Sequence, residues 1–160
     1  MYYYSSIYLS LSLMEFIQAD LDNINEIKNI IGLIHEVFSK YNKEHSTENL
    51  IRRMDLLYGP KYDYQHTLSH FNTSTLFFIA KEQNTIIGMI RWNHEKISNL
   101  YVLKKWQRKW IGQKLLQTFE HAAKEIWSTH IRIKSSKFAL PFYLKNGYTI
   151  DHNNRLIKYF

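Results

Sequence analysis

Hydrophobic and polar residues alternate along this chain with two different periods. Short runs repeat every second residue, as half-buried strands do, and longer runs repeat every three to four residues, as amphipathic helices do. Strands are predicted over residues 15–19, 76–81, 86–92, 97–102, 130–134, 148–150 and 156–159. Helices are predicted over residues 24–38, with Asp20 or Asp22 as the N-cap, and over residues 47–58, 111–127 and 139–145.

Turn-forming residues separate these elements. Gly and Pro at 59–60 end the second helix, and the polar pairs at 83–84 and 153–154 connect two hairpins. Gly147 follows the last helix at the position where a left-handed residue often ends a helix. Residues 61–73 are polar and rich in Tyr and His, so they are predicted to form a loop.

The order of these elements indicates a fold of the α/β (α+β) class. Hairpins flank one strand–helix–strand unit, residues 97–134, which would place two strands side by side and parallel. We therefore predict a mixed, mostly antiparallel sheet of six to seven strands flanked by about four helices. No repeat or linker divides the chain, so residues 1–160 are expected to form a single domain.

The first 13 residues carry no charge, and their apolar positions alternate with Tyr and Ser. This pattern favours an extra strand or an N-terminal appendage that pairs with a sheet edge or mediates association, so a homodimer is left open. The segment lacks the basic start and the small-residue cleavage site of a secretory signal. No stretch reaches the roughly 18 apolar residues of a membrane span, and no membrane partner is expected.

Composition excludes several classes of site. The 160 residues are 45% hydrophobic and 22% charged, which is the balance of a folded globular protein. The absence of Cys excludes disulfides, thiolate zinc sites, iron–sulfur clusters and a cysteine nucleophile, and it fits the predicted cytoplasmic location. His66 and His70 have a spacing that metal ligands use on a helix, but no third ligand is in register, so no metal site is expected.

Positive charge is concentrated in the second part of the chain. Residues 1–95 hold 8 Lys and Arg against 11 Asp and Glu, whereas residues 96–160 hold 13 against 3. Six of the basic residues lie between Lys96 and Lys114, where there is no acidic residue. This distribution points to an anionic partner such as a nucleotide, a nucleic acid or a membrane surface; a solvated basic face is the alternative.

The basic stretch joins a predicted strand to a predicted helix at residues 100–116, LYVLKKWQRKWIGQKLL. The first N–H groups of a helix have no partner inside the helix and carry the positive end of its dipole, so they bind anions, phosphate in particular. Gly112 would let a ligand approach the backbone, and Arg108, Lys109 and Lys114 would add positive charge. The loop is therefore a candidate phosphate site; an ordinary strand-to-helix connection is the alternative.

This segment resembles the acyl-CoA-binding motif of the GNAT superfamily of N-acetyltransferases, Gln/Arg-x-x-Gly-x-Gly/Ala after a strand ending in hydrophobic-x-Val. Residues 107–112, QRKWIG, match it, except that Trp110 replaces the first Gly. Residues 135–148, SSKFALPFYLKNGY, resemble the second motif of the family, Asn-x-x-Ala-x-x-hydrophobic-Tyr-x-x-x-Gly-Phe, with Ser136 at the Asn position. The resemblance covers residues 76–160 well and the N-terminal helices in outline.

The resemblance implies a function and a role for each matching residue. It implies an N-acetyltransferase with the acyl-CoA N-acyltransferase fold, which moves an acetyl group from acetyl-CoA to a primary amine by direct attack. Backbone groups of Leu100, Tyr101 and Val102 would bind the pantetheine and the acetyl carbonyl, and Tyr143 would be the general acid that protonates the departing thiolate. The other cofactor contacts would be Gln107, Arg108, Lys109, Trp110, Ile111, Gly112, Gln113 and, more weakly, Ser136.

The acceptor and the general base stay open at this point. The acceptor could be a polyamine, an amino acid, an aminoglycoside, a protein N-terminus or a lysine, and residues 61–73 with the second helix are expected to shape its pocket. The acidic balance of residues 1–95 slightly favours a cationic acceptor. His94 and Glu95 are candidate bases, with ordered water as the alternative.

Two rival functions are kept beside the transferase. One is a non-catalytic acyl-CoA sensor on the same fold, and the other is a nucleic-acid-binding protein that uses the basic half of the chain. Trp106 and Trp110 among Lys and Arg resemble a stacking patch for bases. A pyrophosphate already explains the basic loop, however, so a nucleic-acid partner is not expected.

Overall fold

The computed structural model describes residues 14–43, 46–93 and 96–160 of the chain. The strand or appendage predicted within residues 1–13 lies outside the described residues, as do the candidate bases His94 and Glu95.

Seven strands and five α-helices make up the regular structure of this described part. The strands are β1 (Met14–Gln18), β2 (Leu76–Glu82), β3 (Thr85–Asn93), β4 (Lys96–Val102), β5 (His130–Ile133), β6 (Thr149–Ile150) and β7 (Leu156–Tyr159). The helices are α1 (Ile24–Val37), α2 (Glu48–Tyr58), α3 (Tyr64–Asn72), α4 (Ile111–Glu125) and α5 (Leu140–Lys145). A π-helical turn, Phe38–Asn42, extends α1, and a 3₁₀ turn, Lys104–Trp106, lies between β4 and α4.

The seven strands form one mixed sheet in the order β1-β2-β3-β4-β5-β7-β6. Neighbouring strands are antiparallel except for β4 and β5, which are parallel and connected through α4. A parallel pair needs such a crossover connection, whereas the antiparallel pairs can be joined by tight turns. The predicted fold class, the mostly antiparallel sheet and the parallel strand–helix–strand unit are confirmed.

Helices cover both faces of this sheet. One face packs against α1, α2 and α3 around a core that includes Ile30, Ile34 and Phe71. The other face packs against α4 and α5 around a core that includes Leu115 and Phe119. The middle of the sheet, β3 in particular, is therefore buried on both sides, whereas the edge strands β1 and β6 are largely exposed. Strand β4 is the fourth of the seven in this order.

Residues 64–72 form a helix where the sequence predicts a loop. Asp63 is its N-cap, since its Oδ1 accepts a hydrogen bond of 2.7 Å from a backbone N–H in the first turn. Thr67 and Phe71 lie four residues apart and are fully buried. The Thr67 hydroxyl donates a hydrogen bond of 2.6 Å to the carbonyl of Leu57 on α2. The sequence does not reveal this helical period, because Thr67 is read as a polar, exposed residue. It can be buried only because a residue from another helix accepts the hydrogen bond of its hydroxyl.

Two helix ends also differ from the predicted ones. The N-cap of α1 is Asn23 rather than Asp20 or Asp22, since its side chain accepts hydrogen bonds from two N–H groups of the first turn. Helix α4 ends at Glu125, two residues before the predicted end. Ile126, which falls inside the predicted helix, is instead its C-cap and is 45% exposed.

Candidate active site

The parallel strands β4 and β5 are paired over a short stretch and then separate. Their described pairing ends at Ile97 with Ile133. At the same level the register of β4 against β3 shifts by one residue, between Arg91 and Trp92 of β3. A bulge of this kind bends the strand that carries the extra residue. Beyond Ile97, β4 therefore has no described strand paired on its β5 side, and we call the space beside this stretch, up to the segment that follows β5, the opening.

Alternate residues of β4 direct their backbone groups into this opening. Leu103 donates its N–H to a β3 carbonyl at 2.9 Å, so the two-residue period turns the backbone of Tyr101 towards β3 as well. Leu100 and Val102 face the opposite way. The Val102 carbonyl accepts a hydrogen bond of 3.0 Å from the Gln107 side chain. The N–H of Val102 and both backbone groups of Leu100 then point into the opening.

The loop before α4, at the end of β4, has the backbone geometry of an anion-binding nest. Trp110, the N-cap of α4, has φ 68° and makes no side-chain capping bond, and Arg108 has φ 60°. Left-handed residues of this kind turn nearby N–H groups towards one side, where they form a nest for an anion. The N–H groups in the first turn of α4, from Ile111 to Gln113, have no partner within the helix. Arg108 and Lys109 are exposed around them.

Gly112 lies where β4, α4 and α5 meet. A methyl group on its Cα would lie 3.7 Å from Cγ2 of Val102 and 3.7 Å from ring atoms of Phe142. These are ordinary van der Waals distances, so the site has room for one carbon atom and little more. The two motifs that the sequence places 23 or more residues apart are therefore brought together at this point.

Tyr143 lies on α5 and is buried, with 5% exposure. Its ring packs against that of Tyr148 with a centroid distance of 5.5 Å and an interplanar angle of 71°. Burial raises the pKa of Tyr143 well above its ordinary value, and the neighbouring Tyr101 raises it further. The Tyr143 phenol is therefore protonated at physiological pH, as a general acid must be before it acts.

Two other predicted cofactor contacts are placed at the rim. Ser136 is exposed, and its hydroxyl accepts a hydrogen bond of 3.3 Å from the N–H of Ala139 in the turn before α5. Lys109 is stacked on Trp106, with its Nζ 4.9 Å from the ring centroid. Both residues lie in the segments that border the opening, after β4 and after β5.

A buried polar cluster next to the opening was not predicted from the sequence. Arg91 of β3 is 2% exposed, and its two terminal nitrogens lie 3.2 Å from the carbonyl of His70 and 2.8 Å from His70 Nε2. Because arginine only donates, His70 Nε2 is the acceptor and carries no proton. Burial lowers the pKa of His70 to about 4, and the charge of Arg91 contributes, so His70 is neutral.

We call this group the Arg91 cluster; it consists of Tyr58, His70, Arg91, Asn99 and Tyr101. Asn99 is paired with Arg91 across the strands and donates a hydrogen bond of 3.3 Å to the Tyr101 hydroxyl. The signal in the sequence was one charged residue, Arg91, within the otherwise apolar strand TIIGMIRWN. Such a residue is buried only when other elements satisfy it, and here the hydrogen-bond partner is His70 of α3.

Replacing Trp110 with Gly is expected to raise the melting temperature by roughly 3–5 °C. A left-handed backbone costs an L-residue about 1–2 kcal/mol, and glycine avoids that cost. Trp110 is 75% exposed, so its ring contributes little packing. Trp110→Ala removes the ring but keeps an L-residue in the left-handed backbone. It should therefore leave the melting temperature nearly unchanged. If calorimetry gave the same change in melting temperature for both variants, the left-handed backbone of Trp110 would not be a source of strain.

The described residues contain no three His, Asp or Glu side chains close enough to hold a metal ion. His66 and His70 both lie on α3, and His70 Nε2 accepts a hydrogen bond from Arg91. In the same part of the chain, no helix is both long enough and apolar enough to cross a membrane.

Comparisons with known proteins give one family match and several structural matches. The family model described as an acetyltransferase (GNAT) domain matches residues 43–158. No curated protein sequence matches at a significant level.

Three solved structures illustrate the fold that this chain shares. The PaiA N-acetyltransferase of Thermoplasma acidophilum, in complex with coenzyme A, is similar with a TM-score of 0.70 and 21% identity, over 92% of this chain and 99% of that one. A GNAT family acetyltransferase of Brucella melitensis, in complex with acetyl-CoA, has a TM-score of 0.66 and 13% identity, over 92% and 88%. An aminoglycoside 6′-N-acetyltransferase complexed with coenzyme A has a TM-score of 0.63 and 13% identity, over 91% and 96%.

Proposed function

Since this chain belongs to the GNAT acetyltransferase family, we propose that it transfers an acetyl group from acetyl-CoA to a primary amine. The observation that carries the proposal is the opening between β4 and β5, with the start of α4 at one end and Tyr143 beside it. This arrangement offers backbone groups to a thioester, N–H groups to a diphosphate and a phenol to a leaving thiolate. Similar structures in complex with coenzyme A or acetyl-CoA support the choice of cosubstrate.

The cosubstrate would be held mainly by backbone. The N–H groups from Arg108 to Gln113 would bind the pyrophosphate, with added charge from Arg108 and Lys109. The pantetheine would run along β4 and pair with Leu100 and Val102, as an added strand does. Gln107 would hold the loop in place through its bond to the Val102 carbonyl.

The reaction needs few further groups. The amine nitrogen attacks the thioester carbon, and a strand N–H pointing into the opening stabilises the oxyanion by a few kcal/mol. When the tetrahedral intermediate collapses, the C–S bond breaks and Tyr143 gives its proton to the sulfur. The nitrogen, which became positively charged in the attack, loses one proton to solvent, and Tyr143 regains a proton from solvent. Holding both reactants in the opening increases the reaction rate further, because the attack then takes place within one complex and not between two free molecules.

The amine must be neutral before it attacks, because an alkylammonium group has a pKa of about 10.4 and no lone pair. His70 is not suited to remove this proton, since its pKa is about 4 and its Nε2 is occupied by Arg91. His94, Glu95 and water are the candidates for this role. A cytoplasmic location, a homodimer and a single domain spanning residues 1–160 also remain predictions.

Acetyl-CoA is expected to raise the melting temperature by about 5 °C or more. At 100 times its dissociation constant a ligand adds about 2.7 kcal/mol to the free energy of unfolding, and a domain of this size gains about 2–4 °C per kcal/mol. Thermal-shift assays with acetyl-CoA, and with a single-stranded oligonucleotide as the control, measure this.

A panel of amines with detection of the released CoA thiol completes the test. Turnover of at least one amine is expected. A thermal shift without turnover of any amine would favour the acyl-CoA sensor. A shift with the oligonucleotide and none with millimolar acetyl-CoA would favour nucleic-acid binding and overturn the proposal.

A further inference from the structure

Helix α5, which carries Tyr143, has an ammonium group bound at its carboxyl end. The Nζ of Lys158 on β7 donates a hydrogen bond of 2.9 Å to the carbonyl of Asn146, the C-cap of α5. The same Nζ lies 2.8 Å from Oε2 of Glu120 on α4. Cations stabilise the carboxyl ends of helices, where backbone carbonyls have no partner within the helix. One side chain of the sheet therefore joins the helix of the proposed acid to the helix that begins at the candidate cosubstrate site.

The Lys158 side chain fits closely against the turn that ends α5. Gly147 follows the C-cap in a left-handed conformation, with φ 85°. A methyl group on its Cα would lie 3.7 Å from Cε and 3.8 Å from Nζ of Lys158. The ammonium group also lies 5.5 Å from the ring centroid of Tyr148. The position of this ammonium group is therefore defined by contacts on several sides.

Hydrogen bonds within the last turn of α5 connect this carboxyl end to Tyr143. The Tyr143 carbonyl accepts bonds of 3.0 Å from the N–H of Asn146 and 3.1 Å from the N–H of Tyr148. The side-chain amide of Asn146 donates a further bond of 2.8 Å to the carbonyl of Phe142. A displacement of Asn146 would therefore displace Tyr143 as well.

Helix α5 is linked to α4 at two points. The first is Phe142, whose ring atoms lie 3.7 Å from where a Cβ on Gly112 would be. The second is Asn146, which is linked through the ion pair. Residues four apart lie on the same face of a helix, so these two links fix both the tilt and the rotation of α5. The position of the Tyr143 hydroxyl depends on that rotation.

We propose that Lys158 and Glu120 are positioning residues, which hold α5 so that the Tyr143 hydroxyl meets the sulfur of the bound thioester. The inference rests on the proposed acetyl transfer. A partly buried ion pair adds little net stability, because the desolvation of two charges offsets their attraction. Its contribution here is geometric, since a small displacement of a reacting group lowers the rate strongly.

Lys158→Met tests the inference, because methionine keeps much of the aliphatic side chain and removes the ammonium group. The value of kcat on an accepted amine should fall about 10-fold, a smaller loss than when the hydroxyl of the acid is absent. The affinity for acetyl-CoA should change by less than about 2-fold, since the loss affects the transition state and not the bound ground state.

The effect of Lys158→Met should disappear in the Tyr143→Phe background. Since the ammonium group acts through the Tyr143 hydroxyl, the double variant should be no slower than Tyr143→Phe alone. A merely structural role of the ion pair would slow both backgrounds equally. Glu120→Gln combined with Lys158→Met leaves no unpaired carboxylate, so this neutral pair should be folded and should show the same loss of kcat as Lys158→Met.

Lys81→Met is the matched control. Lys81 of β2 pairs with Glu26 of α1 at 2.5 Å, and three strands separate β2 from β7. The side chains of this pair are 20% and 7% exposed, close to 26% and 12% for Lys158 and Glu120. The control should lower the melting temperature by a similar amount and leave kcat unchanged.

Three results would overturn the inference while leaving acetyl transfer intact. They are full kcat in Lys158→Met and in the neutral pair, equal losses of kcat in Lys158→Met and Lys81→Met, or a further loss in the Tyr143→Phe background. If acetyl-CoA binds but the unaltered chain acetylates no amine, the proposed function fails and the inference fails with it.

Discussion

Replacing Tyr143 with Phe is expected to lower kcat about 100-fold and to leave the affinity for acetyl-CoA nearly unchanged. The hydroxyl acts only as the C–S bond breaks, so its loss affects the transition state and not the bound ground state. General acid catalysis contributes about 10²–10⁴-fold, and the low end applies because a thiolate can leave without a proton. Steady-state kinetics on an accepted amine, with a binding titration of acetyl-CoA, measure both quantities.

Tyr148→Phe is the control for this experiment. Tyr148 is a buried tyrosine whose ring contacts that of Tyr143, but it lies beyond it, on the side of Glu120 and Lys158. Its loss should leave kcat unchanged. Full activity of Tyr143→Phe would show that Tyr143 is a packing residue. Loss of acetyl-CoA binding in that variant would show that its hydroxyl serves the ground state.

The pH dependence follows from the raised pKa of Tyr143. A phenol whose pKa is raised keeps its proton above pH 10, so the acid stays active throughout an ordinary assay range. The contrary result would be a fall in kcat at alkaline pH with an apparent pKa below 10 that is absent in Tyr143→Phe. It would show that burial does not raise the pKa of Tyr143.

Replacing Gly112 with Val is expected to weaken acetyl-CoA binding by about 100-fold. The γ-methyl groups of Val would occupy the space between Val102 and Phe142, where a Cβ alone already makes contact at 3.7 Å. A ligand held away from the first turn of α4 would lose hydrogen bonds to backbone N–H groups. One to two charge-assisted bonds account for a change of this size. Isothermal titration with acetyl-CoA measures it.

Two controls make the Gly112 experiment specific. Gly112→Ala adds only the carbon for which there is room, so it should fold and change the affinity by much less. Lys104→Gln removes a basic residue from the 3₁₀ turn before the loop and should have a small effect. Similar losses in Gly112→Val and Lys104→Gln would mean that general positive charge, and not close approach to the backbone, holds the cosubstrate.

The sequence determined most of the secondary structure and the family, because both depend on local order. The period of apolar residues predicts each described strand and four of the five described helices. The two motifs, QRKWIG and SSKFALPFYLKNGY, carry the resemblance that the family match confirms. Local order also identified Gly112 and Tyr143 as candidates, since each lies at a fixed position of its motif.

Helix α3 and the Arg91 cluster were decided by tertiary structure. Thr67 is buried only because the Leu57 carbonyl accepts its hydroxyl, and Arg91 is buried only because His70, 21 residues earlier, accepts its N–H groups. A polar residue in the interior depends on partners from other elements. No periodicity within one segment contains that information.

The opening itself was also decided by tertiary structure. The sequence predicts β4 and β5 as neighbours, but their separation depends on a register shift against β3 just after Ile97. The left-handed backbone of Trp110 could not be predicted from its residue type either, because the family motif has Gly at this position and a bulky L-residue rarely adopts that conformation. The sequence by itself therefore determined which residues and elements make up the candidate site. Their positions around the opening were set by packing between elements distant in the chain. Strand register, burial and backbone strain depend on contacts between such elements, and a local stretch of sequence does not contain them.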